Sequence, residues 1–363
     1  MNDQSYKSCF EIHELMTTIM VGIHNSVLVL DSSDDFKIRE ISKGGNPQGK
    51  KSESPGHKPS CIAFDPQNSD RAYWGIFDNG LWKTDDRGQS WENIGIDSFS
   101  SPRIMSVAVS SLNSGNRLNK VYAGTEPSAL YVSNDGGDSW ERMKALNDLP
   151  SSKTWSFPPR PYTHHVRWIE PDATNPDYLF VAIEAGALVQ SRDGGKTWID
   201  RVKGGPYDTH TLATHPKAPK RLYSSAGDGY YESFDYGESW NRPMEGLKHS
   251  YLAGIAVDSG NPDAVIVSAS DGPFKSFSPN SAETFLYRKD DEDGKKWKVV
   301  SDGLPHPSGT TMSILASNQK VQGEFYAVNN HGVFISTDSG ESWRKLTNEW
   351  PNEYTPLALA VSE

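Results

Sequence analysis

Ser133-Asn134-Asp135-Gly136-Gly137-Asp138-Ser139-Trp140 is the stretch that decides the fold, because five of its positions return along the chain at fixed offsets. The other full copies are Thr84-Asp86-Gly88-Ser90-Trp91, Ser191-Asp193-Gly195-Thr197-Trp198, Ser233-Asp235-Gly237-Ser239-Trp240 and Ser336-Asp338-Gly340-Ser342-Trp343, and a degraded one keeps Glu292, Gly294, Lys296 and Trp297. Successive copies are 42 to 58 residues apart, so one supersecondary unit has been repeated around a larger architecture. Each copy reads as a β-hairpin turn. The Asp carboxylate is expected to accept from backbone N–H groups two and three residues on, Gly supplies the φ > 0 that closes the bend, and the hydroxyl adds a second local bond. The Trp then opens the next strand and buries its ring between neighbouring sheets.

Working outward from the turn, a second phrase precedes each copy: an apolar run, a polar turn and another apolar run. Ile62-Ala63-Phe64-Asp65-Pro66 leads to Ala72-Tyr73-Trp74, and Ile255-Ala256-Val257-Asp258 leads to Ala264-Val265-Ile266-Val267. With the strands on either side of the turn, each unit has four strands, which is one blade of a β-propeller. Six full units start near Ser60, Arg103, His165, His210, Tyr251 and Thr311. The ends supply a seventh. Thr17 to Ile41 holds three strands of a blade that lacks its innermost strand, and Pro356-Leu357-Ala358-Leu359-Ala360-Val361 reads as the missing one. The predicted fold is all-β: a seven-bladed propeller of four-stranded antiparallel blades over 17–363, with blade 1 shared between 17–41 and 356–361 and an N-terminal extension over 1–16. Pairing the ends leaves no exposed inner edge.

The composition agrees with many short strands and tight turns: aromatics are 11% of 363 residues, with 31 Gly and 23 Pro. Formal net charge is −11 and no dense Lys/Arg stripe is present, which argues against nucleic acid and anionic membrane as partners. Cys9 and Cys61 are the two cysteines, too few for a disulfide framework. No run approaches about 18 apolar residues, and Met1-Asn2-Asp3-Gln4-Ser5 lacks a basic segment leading into an apolar one. The chain therefore reads as cytoplasmic. Three segments exceed ordinary loop length: Ser42 to Pro59, the aromatic Ala145 to Thr163 with Trp155 and Tyr162, and Ser276 to Phe285, assigned between the third and fourth strands of the sixth blade. Asp290 to Gly294 resembles a calcium loop without its twelfth-position carboxylate and reads as the decayed turn.

In a four-stranded blade, the hairpin between strands two and three opens on the face opposite the repeated turns. These hairpins contribute His24, Asp78, Glu126, Glu184, Asp228, Asp271 and His331, and the starts of the inner strands contribute Arg103, His164, His165, Arg167, His210, His249, Tyr251 and His306. Eight of the ten histidines, His57 included, map to this face. Imidazoles converging beside carboxylates suit general acid–base chemistry or a transition metal. Alternation along an extended strand puts His165 and Arg167 on one side, a pair that suits an anion. The candidate catalytic residues are His165, Arg167, His210 and Asp228. The candidate ligand-binding residues are His24, Arg103, Glu126, Glu184, Tyr230, His249, Tyr251 and His331. No cofactor is specified by the sequence; a divalent metal held by His165, His210, His331 and Glu184 is one reading of the same cluster.

The repeated turn resembles that of the Asp-box, or BNR-repeat, proteins, among them sialidases, xyloglucan-active hydrolases, sortilin-like receptors and photosystem assembly factors. The resemblance covers nearly the whole chain. It implies that the boxes are structural and lie away from the active face. A sialidase carries an early Arg-Ile-Pro phrase and three arginines around its pocket; here the phrase is Pro102-Arg103-Ile104-Met105, and Arg103, Arg160 and Arg167 fall in adjacent blades. Three functions follow as expectations. The first is binding or catalysis at the channel mouth on a small anionic or sugar-like ligand through the His/Arg/carboxylate cluster, with or without metal assistance. If this is an enzyme, it is a hydrolase or lyase of the glycan-active propeller type, or a His-ligated metalloenzyme. The second is a protein-binding scaffold that uses the 145–163 aromatic loop. The third is a sialidase-like glycoside hydrolase.

Overall fold

The computed structural model describes residues 16–23, 26–42, 60–112, 118–289, 296–347, 349–350 and 356–362. Seven antiparallel sheets form a seven-bladed β-propeller, five of four strands and two of three. The inner strands of blades 2 to 7 are Ser60–Asp65, Ile104–Val109, Val166–Pro171, Thr209–Ala213, Tyr251–Val257 and Ile314–Ser317. In blades 4 and 5 the fourth strand shrinks to single bridges, Gln190 to Ile199 and Glu232 to Asn241.

Blade 1 is built from both ends of the chain. Pro356–Ser362 pairs antiparallel with Thr18–Ile23, with Met20 opposite Ala360 and Val21 opposite Leu359. Each inner strand contacts that of the next blade around the complete ring, including blade 7 to Pro356–Ser362 and Pro356–Ser362 to blade 2. The fold therefore depends on a closure between segments more than 300 residues apart, and burial of apolar side chains drives it. The core is a series of layers between blades. Met20, Val27 and Val29 of blade 1 meet Ile62, Phe64 and Trp74 of blade 2, with the box residue Trp91 packed on the same cluster.

The five full boxes share one geometry. In the first, Asp86 Oδ1 accepts from the Ser90 N–H at 2.8 Å and its Oδ2 accepts from the Ser90 hydroxyl at 2.6 Å. The Thr84 hydroxyl donates to Asp86 Oδ1 at 2.7 Å and accepts from the Gly88 N–H at 2.9 Å. The carboxylate thus reaches four residues ahead, farther than the two or three expected, because two consecutive left-handed residues, Arg87 at φ 56° and Gly88 at φ 76°, wind the loop back on itself. The indoles of Trp140 and Trp240 donate to their own box glycine carbonyls at 3.0 and 3.1 Å, so the same ring caps its turn and fills a space between blades.

Two loop assignments change. The insertion of blade 6 separates its second strand, Val265–Ser270, from its third, Phe285–Lys289, and so lies on the face opposite the boxes. The 145–163 segment folds into the 3-10 turns Lys144–Asp148 and Pro150–Thr154. Leu146, Leu149 and Trp155 are buried against blade 4. The stretch 43–59, the extension up to residue 15, His24, Cys9 and the acidic run 290–295 lie outside the described residues. Among the described residues, no helix is long and apolar enough to cross a membrane.

Candidate functional site

Strand irregularity builds the site. The first pairs of the inner strands in blades 3, 4, 5 and 6 carry a register shift, which leaves Met105, Arg167, His210 and Ala253 as extra residues. Such a bulge re-aims its side chain. Two of the four, Arg167 and His210, are candidate site residues. Two residues before each bulge, the repeat places Arg103, His165, Asp208 and Tyr251 in equivalent positions, and the hairpins between strands two and three bring Asp78, Glu126 and Glu184 to the same rim.

These side chains form a continuous polar chain across blades 2 to 5. Asp78 Oδ1 accepts from Arg103 Nε at 2.8 Å, and Arg103 Nη1 reaches Glu126 Oε1 at 3.3 Å. Glu126 has no exposed side-chain surface; its other oxygen accepts from Arg160 Nη2 at 2.5 Å and faces His165 Nδ1 at 3.5 Å. His165 Nε2 lies 2.7 Å from Glu184 Oε2, which Arg167 Nε approaches at 3.3 Å. The next pair is Asp208 and His210, with Asp208 Oδ2 at 3.5 Å from His210 Nε2. The Ala185 N–H, beside Glu184, donates to Asp208 Oδ1 at 2.7 Å and links the two groups. Ligand atoms of Glu184, Asp208 and His210 lie within 4.8 Å of one another. Gly227 closes the back of this group: a Cβ there would fall 2.3 Å from Asp208 Oδ2.

Burial and charge oppose one another here. Burial works against the Glu184 anion, yet the His165 hydrogen bond and the Arg167 charge outweigh it and bring its pKa from 4.5 down to about 2. Burial likewise disfavours a charged His165, but Glu126 and Glu184 hold its pKa above the ordinary value. Glu126 is lowered in spite of burial, by His165, Arg160 and Arg103. Glu184 is thus an anion throughout the neutral range.

Aromatic groups wall the chain of charges. The Phe157 ring meets His165 edge to face at 4.8 Å, and Arg160 lies over Phe157 and Phe77 at 5.2 Å from each. Tyr251 packs on His210 at 5.2 Å and on Phe277 at 6.3 Å, and burial raises its phenol well above the ordinary range. Tyr162, Phe274, Phe277 and Tyr207 are exposed at 83, 90, 53 and 47% on loops of this face.

The structure therefore joins His165, Arg167, His210, Arg103, Glu126, Glu184 and Tyr251 into one region. The remaining candidates lie elsewhere. Asp228 is bound by the Tyr231 hydroxyl at 2.5 Å and approached by Arg242 at 3.7 Å. Tyr230 is fully buried between blades 5 and 6, edge-on to Trp297 at 4.9 Å, because its side of the strand points into the blade interface. His249 stacks on Phe285 at 4.1 Å and bonds the Tyr287 hydroxyl at 2.6 Å. His331 is exposed in a recess of blade 7 with Leu304, Lys345 and Trp350. Of the predicted metal set, His210 and Glu184 belong to the compact group, His165 stands behind Glu184, and His331 lines that other recess. Asp208 and Arg160 belong to the region without having been among the candidate catalytic or ligand-binding residues. The signal for Asp208 was its repeat register, equivalent to Arg103 and His165.

No family model matches the chain. It is 26% identical to the oligoxyloglucan-reducing end-specific xyloglucanase of Emericella nidulans, across 69% of this chain and 28% of that protein. It is also 26% identical to xyloglucanase Xgh74A of Acetivibrio thermocellus, across 68% and 32% respectively. The chain thus spans about a third of the length of these curated relatives. Among solved structures it resembles an ancestral GH74 enzyme, with TM-score 0.58 and 15% identity over 83% of this chain and 38% of the other. It also resembles YCF48 bound to D1 peptide, with TM-score 0.53 and 18% identity over 80 and 82%. The fold and the boxes define a seven-bladed propeller with distant likeness to GH74 xyloglucanases and to YCF48.

Proposed function

We propose that the protein is a glycan-binding propeller whose ligand seats on the channel mouth between blades 3 and 5, against Glu184, Asp208 and His210. The observation that carries this reading is the state of the arginines. Arg103 is held by Asp78 and Glu126, Arg160 by Glu126 and Arg167 by Glu184. Each guanidinium is matched by a carboxylate, which favours a neutral, hydroxyl-rich ligand over an anion. The Glu184 anion and the oxygens of Asp208 accept hydrogen bonds from sugar hydroxyls, and exposed Tyr207, Tyr162 and Phe277 offer faces on which sugar rings stack. The sequence likeness to xyloglucanases supports the same class of ligand, with xyloglucan-derived oligosaccharides as the first to try.

A second reading has its own support. YCF48 and this chain match over about four fifths of each other, whereas the match covers only about a third of the xyloglucanases' length. In this reading the exposed aromatics of the same face receive a protein segment.

Calorimetric titration with xyloglucan oligosaccharides tests the first reading. The expected result is saturable binding to the full chain, weakened at least ~10-fold by Glu184→Gln through loss of a charge-assisted hydrogen bond. Absence of binding across neutral glycans, or binding indifferent to Glu184→Gln, contradicts it.

A further inference from the structure

We propose that Glu184, Asp208 and His210 form a site for one first-row divalent cation, of the zinc or manganese class. Each of the three side chains is tied through one atom and leaves its other donor atom to a common centre. His210 is 3% exposed, and its Nδ1 lies 2.5 Å from the Leu252 carbonyl. A carbonyl only accepts, so Nδ1 carries the proton and in the neutral ring Nε2 presents a lone pair. That lone pair faces Asp208 Oδ2 across 3.5 Å, which sets one acceptor against another; a bound cation resolves this arrangement. Asp208 is fixed through Oδ1 by the Ala185 N–H, leaving Oδ2 for the centre. Glu184 is fixed through Oε2 by His165, while Arg167 Nε stands 3.3 Å from the same oxygen without hydrogen-bonding it, and among the described residues Oε1 has no protein partner.

This is the arrangement a metal site uses in its outer shell. A carbonyl on the distal nitrogen of a ligating histidine sets its tautomer, and hydrogen bonds to the ligating carboxylates set their orientation. Bonds of about 2.0–2.2 Å from a central ion to histidine and carboxylate ligands place ligand atoms roughly 3–4.4 Å apart, and one ligand atom from each of the three residues already lies within 4.8 Å of the other two. One imidazole and two carboxylates suit zinc or manganese better than calcium, which takes oxygen alone. Three protein ligands leave coordination positions open on the mouth side, where a water or a pair of ligand hydroxyls would bind. His165 is a positioning residue in this account: it acts through Glu184, and the cation does not touch it.

Arg167 supplies the internal control. Its charge stands 3.3 Å from a ligating carboxylate and opposes a second positive charge, so removing it strengthens cation binding, whereas a site for an anion would be lost.

The test is titration of the metal-free full chain with Zn²⁺ and, separately, Mn²⁺, with metal content measured after dialysis. The expected result is one equivalent bound, at least ~10-fold weaker in Asp208→Asn and in His210→Gln, and tighter in Arg167→Ala. Melting of the metal-free variants separates lost ligation from lost fold; if His210→Gln does not fold, Asp208→Asn decides. No stoichiometric binding of either ion, or affinity unchanged in Asp208→Asn, overturns the proposal. Because the titration contains no glycan, its failure leaves the glycan reading standing, and the failure of that reading leaves this one standing.

Discussion

At the scale of single residues, Glu126 has the most to lose. It is fully buried and faces Arg103, Arg160 and His165, so removing it leaves Arg160 without its carboxylate and takes one of two acidic partners from Arg103 and from His165. Glu126→Ala is expected to cost about 3 kcal/mol or more in denaturant unfolding, the range for breaking a buried ion pair from one side; a loss under about 1 kcal/mol contradicts the role. Glu184 sets a pH dependence whose sign is fixed. Its folded pKa of about 2 lies below the ordinary 4.5, so it contributes stability that is fully present above about pH 4.5 and lost as pH falls toward 2. His165, raised above 6.5, contributes stability present below that value and lost as pH rises through its folded pKa. Melting curves from pH 5 to 2 should therefore fall more steeply for the wild type than for Glu184→Gln; parallel curves would sink this assignment. The residues of the site were partly legible in the sequence. His165, Glu184 and Glu126 were visible because hairpins and strand starts follow the repeat. Asp208 was hidden inside the motif Tyr207-Asp208-Thr209-His210, where the histidine drew the chemistry to itself. Tyr230 shows the converse: a polar residue near a hairpin tip, whose ring the blade interface claims.

At the scale of elements, two devices decide what the blades present. The boxes are local. Each Asp makes bonds only within its own turn, and those of Asp193 bring its pKa down to about 2 while leaving it at the surface. Asp135→Ala is expected to cost about 1 kcal/mol, typical of a lost turn cap, and to leave ligand binding unchanged, which unfolding and titration on one sample would check. The bulges are the second device. Alternation along an unbroken pleat predicted that His165 and Arg167 share a side, and both do reach Glu184. The shift between Val166 and Trp168, however, makes Arg167 an extra residue whose direction no alternation rule fixes. The same shift between Thr209 and Thr211 delivers His210. Bulges of this kind have no composition signal, since they arise from how the inner strand meets its neighbour. The misplaced insertion of blade 6 has a related cause: the third strand, Phe285–Lys289, follows a long aromatic excursion that reads as apolar sequence in its own right.

At the scale of the whole molecule, closure and facing are the two facts that matter. The terminal strand was legible because blade 1 lacked a strand and 356–361 lacked a blade. Ala360 is 8% exposed in the layer with Met20, Val27 and Trp74. Ala360→Asp should therefore cost about 3 kcal/mol or more by burying an unpaired carboxylate, read as a fall in melting temperature; a near-neutral result would show that the ring does not rely on this pairing. Facing assigns the boxes to one side of the disc and the chain Asp78, Arg103, Glu126, His165, Glu184, Asp208 and His210 to the other. The central claim is that this second face, between blades 3 and 5, receives the ligand. A crystal structure of the protein soaked with a xyloglucan oligosaccharide tests it most directly. The account predicts sugar density within hydrogen-bond distance of Glu184 or Asp208, with a ring on one of the rim aromatics. Density confined to the box face or to the recess beside His331 would contradict it.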